Sequence, residues 1–228
     1  MSDKKDYQKQ NEATKQLLKD TQEETFPYFI EYSRLKIRVD EGVFSPKHFD
    51  GWRIFNENFP DFHDKTVLEL GTATGITALY LAKNGARKVV AIDINKKAVS
   101  NAEANRTLNN IVNMEVRYSD LFSGLKEVEK FDIIYWNMPF GFVEENYEHE
   151  NVLEKSIFDP GYNILKKFLT EAPNYLTKNG YILIGTGSGA NIQKFKEIVS
   201  DNQMNLELLA KVDAKEVYDV DFQLYKLK

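Results

Sequence analysis

The sequence has no cysteine, and this absence excludes two kinds of site. Neither a disulfide framework nor a metal centre with thiolate ligands can form without it. Histidine is also scarce, since His48, His63 and His149 lie far apart and lack the HxxH-type spacing of many metal sites. A zinc enzyme or a nucleophilic histidine is therefore disfavoured, and we expect no metal.

Long apolar runs are missing as well. No stretch of the 228 residues approaches the ~20 apolar residues that a membrane-spanning helix needs. The opening residues, MSDKKDYQKQ, contain no apolar segment of the kind found in secretory signals. Because 42% of the residues are hydrophobic, a sizeable core is available. We expect a cytoplasmic protein without membrane contact.

Excess positive charge is the third absence. The formal net charge is −5, whereas a protein that binds RNA mainly through phosphates is usually basic, at least locally. The local exception is RLKIR, in which Arg34, Lys36 and Arg38 share one face of a predicted strand. A solvated strand face is the favoured interpretation, and a nucleic-acid contact is the alternative.

The most informative segment that is present runs from Val67 to Asp93. It predicts a buried strand up to Leu70, a turn with glycines at Gly71 and Gly75, a helix, and a second strand that ends on Asp93. Such a βαβ unit brings the turn and the terminal carboxylate to one edge of a parallel sheet, where nucleotide-like ligands bind. Asp93 follows Gly71 by about 20 residues, the spacing that places a carboxylate on a ribose diol.

The turn GTATG favours S-adenosylmethionine (SAM) over a dinucleotide. A dinucleotide fingerprint would have glycine in place of Ala73 and Ile76, and the turn lacks a phosphate-binding lysine motif. Glu69, at the end of the first strand, would repel a phosphate but would suit a ligand with an amino group. SAM has an ammonium group, a sulfonium group and a ribose. A βα turn without any cofactor is the alternative interpretation.

The rest of the chain alternates predicted strands with predicted helices, as in a doubly wound parallel α/β sheet. We expect residues 61–228 to form the main domain, after a partly helical N-terminal extension, 1–60, whose first 24 residues form a frayed arm or a lid. The expected elements are helices near 75–84, 95–109, 161–178 (kinked at Pro173) and 190–202, strands near 66–70, 88–92, 114–118, 131–136 and 181–185, a helical turn near 123–129, and an antiparallel C-terminal hairpin.

Two further segments have less specific patterns. The loop GTGSG after the fifth strand lacks the lysine and hydroxyl of a phosphate loop, so we expect a flexible turn at the sheet edge. The stretch 141–160 is polar and aromatic, and includes Phe142, Tyr147, His149 and Phe158. It is either one wall of an acceptor pocket or only an ordered loop.

Four predicted strand ends point into the same crevice. They contribute Glu69 with the GTATG turn, Asp93 with Ile94, the segment 119–121, and the tetrapeptide Asn137-Met138-Pro139-Phe140. In an open α/β sheet these carboxyl edges form one ligand-binding crevice. Each segment alone is weak evidence for a site, but together their order and spacing predict one.

The tetrapeptide NMPF has a chemistry suited to an acceptor nitrogen. Methyl transfer from a sulfonium is an in-line displacement, so the enzyme mainly has to orient the acceptor. The side-chain carbonyl of Asn137 and the main-chain carbonyl of Met138 would each accept one N–H bond and stabilise the positive charge that develops. Pro139 would stiffen the loop, and Phe140 would offer a face to a flat acceptor. A proline turn after a buried strand is the alternative.

From Gly42 to Leu183 the sequence resembles the class I SAM-dependent methyltransferases, and more narrowly the methyltransferase small domain group. The similarity runs through GVFSPKHFDGWRIF, KTVLELGTATGITALYLA, VVAIDINKKAVSNAEANRTLNN, YSDLFSG and FDIIYWNMPF. That group includes ribosomal-RNA guanine-N2, tRNA adenine-N6 and release-factor glutamine methyltransferases. The resemblance implies SAM as cofactor and a seven-stranded Rossmann-like sheet with a reversed C-terminal hairpin.

The resemblance also implies roles for the predicted site residues. Glu69, Gly71 and Gly75 would line the methionine end of the cofactor site. Asp93 would bind the ribose hydroxyls, Ile94 would pack on the adenine, and Asp120 would accept a hydrogen bond from the adenine amino group. NMPF matches the family's Asn-Pro-Pro-aromatic acceptor motif, which makes its four residues the catalytic set. The predicted cofactor-binding set, in which Phe44 and Pro46 close over the cofactor, is Phe44, Pro46, Glu69, Gly71, Thr72, Gly75, Asp93, Ile94, Ser119, Asp120, Leu121 and Asn137.

Two departures from the family pattern bear on function. Ala73 replaces the usual middle glycine of the turn and would crowd the carboxylate of the cofactor. Met138 replaces the first proline of the acceptor motif, which keeps the backbone carbonyl but makes the pocket wall bulkier. The second change favours an acceptor that is not a nucleic acid.

We predict a SAM-dependent N-methyltransferase that acts on a planar amide or amino nitrogen. RNA, protein and small molecules all remain possible acceptors, and the acidic charge with a short N-terminal extension favours a small metabolite or a protein side chain. One alternative is a non-catalytic SAM-binding or regulatory subunit. A nicotinamide-dependent oxidoreductase is a weaker alternative, because the third glycine of its fingerprint is missing.

Overall fold

The computed structural model describes residues 7–49, 51–214 and 221–228. Its helices are α1 (Tyr7–Asp20), α2 (Gly51–Glu57), α3 (Ile76–Lys83), α4 (Lys96–Leu108), α5 (Asn163–Glu171) and α6 (Ile192–Asp201). Its strands are β1 (Tyr28–Tyr32), β2 (Leu35–Val39), β3 (Thr66–Leu70), β4 (Lys88–Asp93), β5 (Met114–Tyr118), β6 (Phe131–Asn137), β7 (Gly141–Val143), β8 (Phe158–Pro160), β9 (Leu176–Gly187), β10 (Leu206–Asp213) and β11 (Asp221–Leu227). Short 3₁₀ turns cover Thr21–Glu23, Val152–Ser156 and Ala172–Tyr175.

A seven-stranded sheet in the order β10-β11-β9-β6-β3-β4-β5 forms the centre of the fold. β3 pairs in parallel with both β4 and β6, and β11 runs antiparallel to β9 and to β10. The chain builds outward from β3 to β5 and then crosses to β6 on the other side of β3, so the strand order reverses between β3 and β6. Ligands bind at such a reversal. The predicted doubly wound sheet, its antiparallel C-terminal hairpin and the short N-terminal helix are confirmed.

Both faces of this sheet are buried, which explains why its parallel strands read as nearly continuous apolar runs. On β6, Ile133 and Tyr135 belong to the core on one face, whereas Ile134 and Trp136 belong to the core on the other. The first core also takes in residues of β2, α2 and α3, and the second takes in residues of α5 and α6. The hairpin β1–β2 and helix α2 are thereby fixed beside the carboxyl ends of the strands.

Asparagine side chains on α4 and directly after it hold the β1–β2 hairpin in place, a contact that no sequence pattern predicted. Asn105 and Asn109, one helical turn apart, each bond both backbone groups of a β2 residue. The Arg38 N–H donates to Asn105 Oδ1 at 2.8 Å, and Asn105 Nδ2 donates to the Arg38 carbonyl at 2.8 Å. Asn101 adds a third bond, from its Nδ2 to the same carbonyl at 3.0 Å. The exposed edge of β2 is therefore paired by side chains instead of another strand.

Three local predictions were wrong. Residues 123–129 form turns and not a helical turn, because the Ser119 hydroxyl accepts from the Gly124 N–H and the Ser123 hydroxyl accepts from the Asp120 N–H. Helix α5 ends at Glu171, and the chain continues as a 3₁₀ turn over Ala172–Tyr175, since proline cannot supply the next helical N–H. The GTG of the GTGSG loop is part of β9, where it pairs with β11.

Candidate active site

A cavity of about 1470 Å³ opens at the carboxyl ends of the parallel strands. The predicted residues that line it are Phe44, Gly71, Asp93, Ile94, Ser119, Asp120, Leu121, Asn137, Met138, Pro139 and Phe140. Four other predicted residues, Pro46, Glu69, Thr72 and Gly75, do not line it. The structure thus brings segments from three strand ends, the motif after β6 and the loop before α2 to one hollow.

The GTATG turn adopts the backbone conformations that its glycines favour. Gly71 and Gly75 have φ angles of +65° and +80°, in the left-handed region that glycine enters without a Cβ clash. A Cβ at Gly75 would also lie 3.1 Å from the Cβ of Ala102, so α3 and α4 pack closely there. Ala73 has a φ of +49°, which costs an alanine more than a glycine and explains why glycine is usual at that position.

Glu69 lies beneath the turn, with 4% of its surface exposed. Its Oε2 accepts a hydrogen bond from the Thr72 hydroxyl at 2.5 Å and from the Ala78 N–H at 3.2 Å. Burial, with a smaller contribution from the charge of Asp93, raises the pKa of Glu69 to about 8. Glu69 and Thr72 therefore stabilise the GTATG turn through hydrogen bonds beneath it and do not face the cavity.

Asp93, at the end of β4, lines the cavity and forms a hydrogen bond with the GTATG turn. Its Oδ2 accepts from the Ala73 N–H at 2.9 Å, and its Oδ1 accepts from the Asn95 N–H at 2.8 Å. Burial raises the pKa of this carboxyl group against the lowering effect of those backbone bonds. Each oxygen keeps acceptor capacity after one backbone bond, so both can still receive a ligand hydroxyl.

The segment after β5 is held by its own hydrogen bonds. The Ser119 N–H donates to the Asp93 carbonyl at 2.9 Å, which ties this strand end to the previous one. The Ser119 hydroxyl donates to the Leu121 carbonyl at 2.5 Å and accepts from the Gly124 N–H at 2.8 Å. Ser119 is buried and the next residue, Asp120, is exposed at the cavity wall.

The NMPF segment leaves β6 at the other side of the cavity. Its backbone is fixed, because the Met138 N–H donates to the Gly185 carbonyl at 3.1 Å and the Tyr162 hydroxyl donates to the Phe140 carbonyl at 3.3 Å. The carboxamide of Asn137 is different: its Oδ1 is buried and has no hydrogen-bond partner in the described part of the chain. Other buried side-chain atoms of the described residues share this state, but Asn137 is the one among them that lines the cavity, where a ligand group can satisfy it. Tyr162 is a supporting residue that the sequence analysis missed.

The loop before α2 closes the cavity near the cofactor residues. The rings of Phe44 and Phe49 stack at 4.5 Å, and both line the cavity. Pro46 sits behind them, where its carbonyl accepts a hydrogen bond from Trp52 Nε1 at 2.9 Å. The Asn95 Nδ2 donates to the Gly42 carbonyl at 2.8 Å, which anchors the loop to the end of β4.

Helix α1 forms a further wall of the cavity, which the sequence left as an arm or a lid. Asn11 Nδ2 donates to the Phe142 carbonyl at 2.7 Å, and Lys15 Nζ lies 3.2 Å from the buried Glu154 Oε1. Leu18 is buried in a small cluster with Leu153, Ile157 and Phe158. Helix α1 is thus anchored by one polar, one charged and one apolar side chain. Because only one of the three is apolar, the apolar periodicity of this segment predicted its packing only weakly.

SAM fits this arrangement. The buried carboxyl group of Asp93 lines the cavity and suits ribose hydroxyls, and the GTATG turn is free of a phosphate motif. The cavity exceeds the ~300–1,000 Å³ of a typical small-ligand pocket, so it has room for an acceptor beside the cofactor. Within the described ranges, no cluster of three or more His, Asp and Glu side chains could hold a metal ion.

The family model of the methyltransferase small domain matches residues 34–219. The chain belongs to the methyltransferase small domain family. It is a SAM-dependent N-methyltransferase, so the predicted family, enzyme class and cofactor are confirmed. The match starts at Arg34, inside the segment that the sequence analysis assigned to an N-terminal extension.

Relatives of this methyltransferase have been named by their acceptors. A Methanocaldococcus jannaschii protein, which its name assigns by inference to the protein N5-glutamine methyltransferases, is 36% identical over 176 residues, covering 74% of this chain and 86% of its own length. The release factor glutamine methyltransferase of Lactococcus lactis is 33% identical over 194 residues, covering 78% of this chain and 69% of its own.

Solved structures show the same fold. A ribosomal protein L11 methylase from Lactobacillus delbrueckii superposes with a TM-score of 0.58 at 21% identity, over 83% of either chain. In the methyltransferase described here, no helix among the residues with described structure has the length and apolar character to cross a membrane.

Proposed function

We propose that this methyltransferase transfers the methyl group of SAM to the side-chain amide nitrogen of glutamine in a protein. The observation that carries the proposal is the carboxamide of Asn137, which lines the cavity and keeps a buried Oδ1 without a partner in the described residues. A primary amide has two N–H donors on a planar nitrogen, and an unpaired acceptor oxygen is complementary to one of them.

The acceptor amide needs orientation more than deprotonation. Its lone pair is delocalised into the carbonyl, so nitrogen attack on a methyl group develops positive charge on the N–H bonds. The Asn137 side-chain carbonyl and the Met138 main-chain carbonyl would accept those bonds and stabilise that charge. The sulfonium of bound SAM would supply the methyl group: its S–CH3 bond breaks as the N–CH3 bond forms, S-adenosylhomocysteine is left, and the methylated nitrogen then loses one proton to water. Phe140 would give the planar amide an apolar face, and Tyr162 keeps this loop in place through the Phe140 carbonyl.

The cofactor half of the proposal assigns roles that remain predictions. Asp93 would bind the ribose diol, Ile94 would pack on the adenine, and Asp120 would accept from the adenine amino group. Phe44 lines the cavity, as this arrangement requires, whereas Pro46 does not and its carbonyl accepts a hydrogen bond from Trp52 Nε1. Glu69, Thr72 and Gly75 would hold the turn that faces the methionine end.

Three observations favour protein glutamine over RNA or a metabolite as the acceptor. The two relatives reported above carry glutamine in their names. The chain has a net charge of −5, which does not favour phosphate-rich partners. The cavity has volume beyond what a cofactor fills, enough for an extended side chain with flanking backbone. Cytoplasmic location remains a prediction.

The test is to incubate the protein with methyl-tritiated SAM and a fractionated cell extract. We expect label in the protein fraction, and its release as methylamine on acid hydrolysis, because N5-methylglutamine hydrolyses to glutamate and methylamine. Label confined to RNA or to small molecules would contradict the glutamine assignment. Tight binding of S-adenosylhomocysteine without transfer to any fraction would favour the alternative of a non-catalytic SAM-binding subunit.

A further inference from the structure

Helix α1 presents two distinct faces, and along each face successive residues are one helical turn, three or four positions, apart. One face, with Tyr7, Asn11, Lys15 and Leu18, contacts the segment 142–158 through a ring contact, a hydrogen bond, an ion pair and apolar packing. The neighbouring face lines the cavity with Gln10, Ala13, Thr14 and Leu17. The first face anchors the helix, so the second is fixed toward the space that the acceptor would occupy.

The GTGSG segment, to which the sequence analysis assigned no function, lies opposite that second face. Its glycines at 185, 187 and 189 alternate. Those at 185 and 189 leave room for a side chain from another element, whereas a Cβ at Gly187 would first meet the Asp221 carbonyl at 2.9 Å. A Cβ added at Gly185 would lie 2.7 Å from the Phe55 ring, and one at Gly187 would lie 3.4 Å from the Phe140 ring. A Cβ at Gly189 would lie 2.9 Å from Gln10 Nε2. Gln10 therefore occupies the position next to the acceptor-motif ring along the same segment.

The carboxamide of Gln10 has no hydrogen-bond partner among residues 7–49, 51–214 and 221–228, although the side chain is half-buried. Only its backbone carbonyl is used, as the acceptor for the Thr14 hydroxyl at 2.9 Å. Because this carboxamide is partly exposed and lines the cavity, its donors and its acceptor are available to a bound ligand. Asn137 also lines the cavity, and its Oδ1 is buried without a partner in the described residues.

We propose that Gln10 is an acceptor-binding residue that pairs with a peptide group next to the methylated glutamine. A carboxamide offers one acceptor and two donors, which match the C=O and N–H of a peptide backbone. Asn137 holds the reacting amide, Gln10 holds the flanking backbone, and Gly189 leaves the space in which the Gln10 carboxamide sits. This inference rests on the proposed function for the nature of its ligand.

Two substitutions test the inference by different routes. Gln10→Ala removes the carboxamide, and Gly189→Ala displaces it, because the added Cβ meets the flexible end of that side chain and not backbone. Gln16→Ala is the matched control, since Gln16 lies on the same helix, is exposed, and its side chain bonds only Asp20 in the described part of the chain. Tritium transfer from labelled SAM is measured against the concentration of extract protein, together with the Kd of S-adenosylhomocysteine.

We expect Gln10→Ala and Gly189→Ala each to raise the half-saturating acceptor concentration by about 10-fold, as for one lost hydrogen bond in a desolvated site. The Kd of the cofactor product and the maximal rate should change little, and Gln16→Ala should match the wild type. The double variant Gln10→Ala/Gly189→Ala should lose no more than either single variant, because both remove the same contact.

Losses that multiply in the double variant, or equal behaviour of Gln10→Ala and Gln16→Ala, would overturn the inference. Label that enters RNA instead of protein would overturn the proposed function. The peptide group as the partner of Gln10 would fall with it, and the role of Gln10 as an acceptor-binding residue would fall as well if Gln10→Ala and Gln16→Ala transferred methyl groups to RNA equally well. Wild-type protein that transfers label to no fraction would overturn both.

Discussion

The two halves of the cavity are built in opposite ways. In the cofactor half, Gly71 and Asp93 lie close in sequence, and both oxygens of Asp93 already accept backbone hydrogen bonds. In the acceptor half, Gln10, Asn137 and Gly189 come from distant parts of the chain, and the two carboxamides lack partners in the described residues. The cofactor half is pre-organised by its own hydrogen bonds, whereas the acceptor half keeps unused donors and acceptors that a bound acceptor can pair with.

Asn137→Ala should separate the two halves with the largest effect. Transfer should fall by about 10²–10³-fold, the usual loss when one group that stabilises developing charge is removed. Binding of SAM should be nearly unchanged, because the bonds that organise the cofactor half do not involve this side chain. Initial rates with tritiated SAM and calorimetry with S-adenosylhomocysteine measure the two effects.

Asn58→Ala is the control for that experiment, since Asn58 is exposed and its side chain bonds, among the described residues, only the carbonyl of Ile54. Full turnover in Asn137→Ala would remove the acceptor-orienting role. An equal loss of cofactor binding and of transfer would show that the two halves are not separable in the way the hydrogen bonds indicate.

The pH dependence of stability should come from the cofactor half. Folded Glu69 keeps its proton up to about pH 8, whereas an unfolded glutamate loses it near pH 4.5. Between those values the folded state binds more protons, so the free energy of unfolding should fall as pH rises, by about 3 kcal/mol between pH 5.5 and 8. Thermal melting of the wild type and of Glu69→Gln measures this. Glu69→Gln should lose most of the slope, and an identical slope in both proteins would exclude Glu69 as its source.

Asp93→Ala should weaken SAM binding by about 10–100-fold, the loss expected for hydrogen bonds between a carboxylate and two hydroxyls. The acceptor concentration at half-maximal rate should change little, which makes this variant the converse of Asn137→Ala. Melting without ligand gives the cost of losing the Ala73 and Asn95 bonds, and the shift that SAM adds to the melting temperature gives the binding loss. Unchanged affinity would remove the ribose assignment.

The same difference between the halves explains how much the sequence could predict. The cofactor half is contiguous: Gly71, Gly75 and Asp93 belong to one βαβ unit, so spacing alone predicted that their segments meet. The order of the parallel strands followed from alternation of strands and helices. These features depend on local propensity and on topological rules that hold for open α/β sheets generally.

The acceptor half of the cavity and the packing of α1 and of the β1–β2 hairpin depend on contacts between residues far apart in sequence. Asn11 bonds the carbonyl of Phe142, and Gln10 lies over Gly189. Neither pairing leaves a periodic signal, because α1 is anchored by polar side chains. The bonds from Asn105 to Arg38 are similar: an asparagine on a helix reads as a solvent-facing residue until the strand beside it is known. The glycines of GTGSG are typical of a turn, whereas in the structure the first three residues belong to β9 and two of the glycines make room for side chains from other elements.

Ala73→Gly should have the smallest effect and tests whether the cofactor half is strained. Ala73 has a φ of +49°, where an alanine costs about 1–2 kcal/mol more than a glycine. Glycine would regain that energy but would lose about 0.4–1 kcal/mol to the greater entropy of the unfolded chain. The Ala73 N–H that binds Asp93 belongs to the backbone and survives the change. We therefore expect a melting temperature higher by a few degrees at most, with an unaltered acceptor requirement. A gain in SAM affinity of more than about 10-fold, 1.4 kcal/mol, would mean that the Ala73 methyl group crowds the cofactor directly, and that this half is less fully pre-organised than its hydrogen bonds indicate.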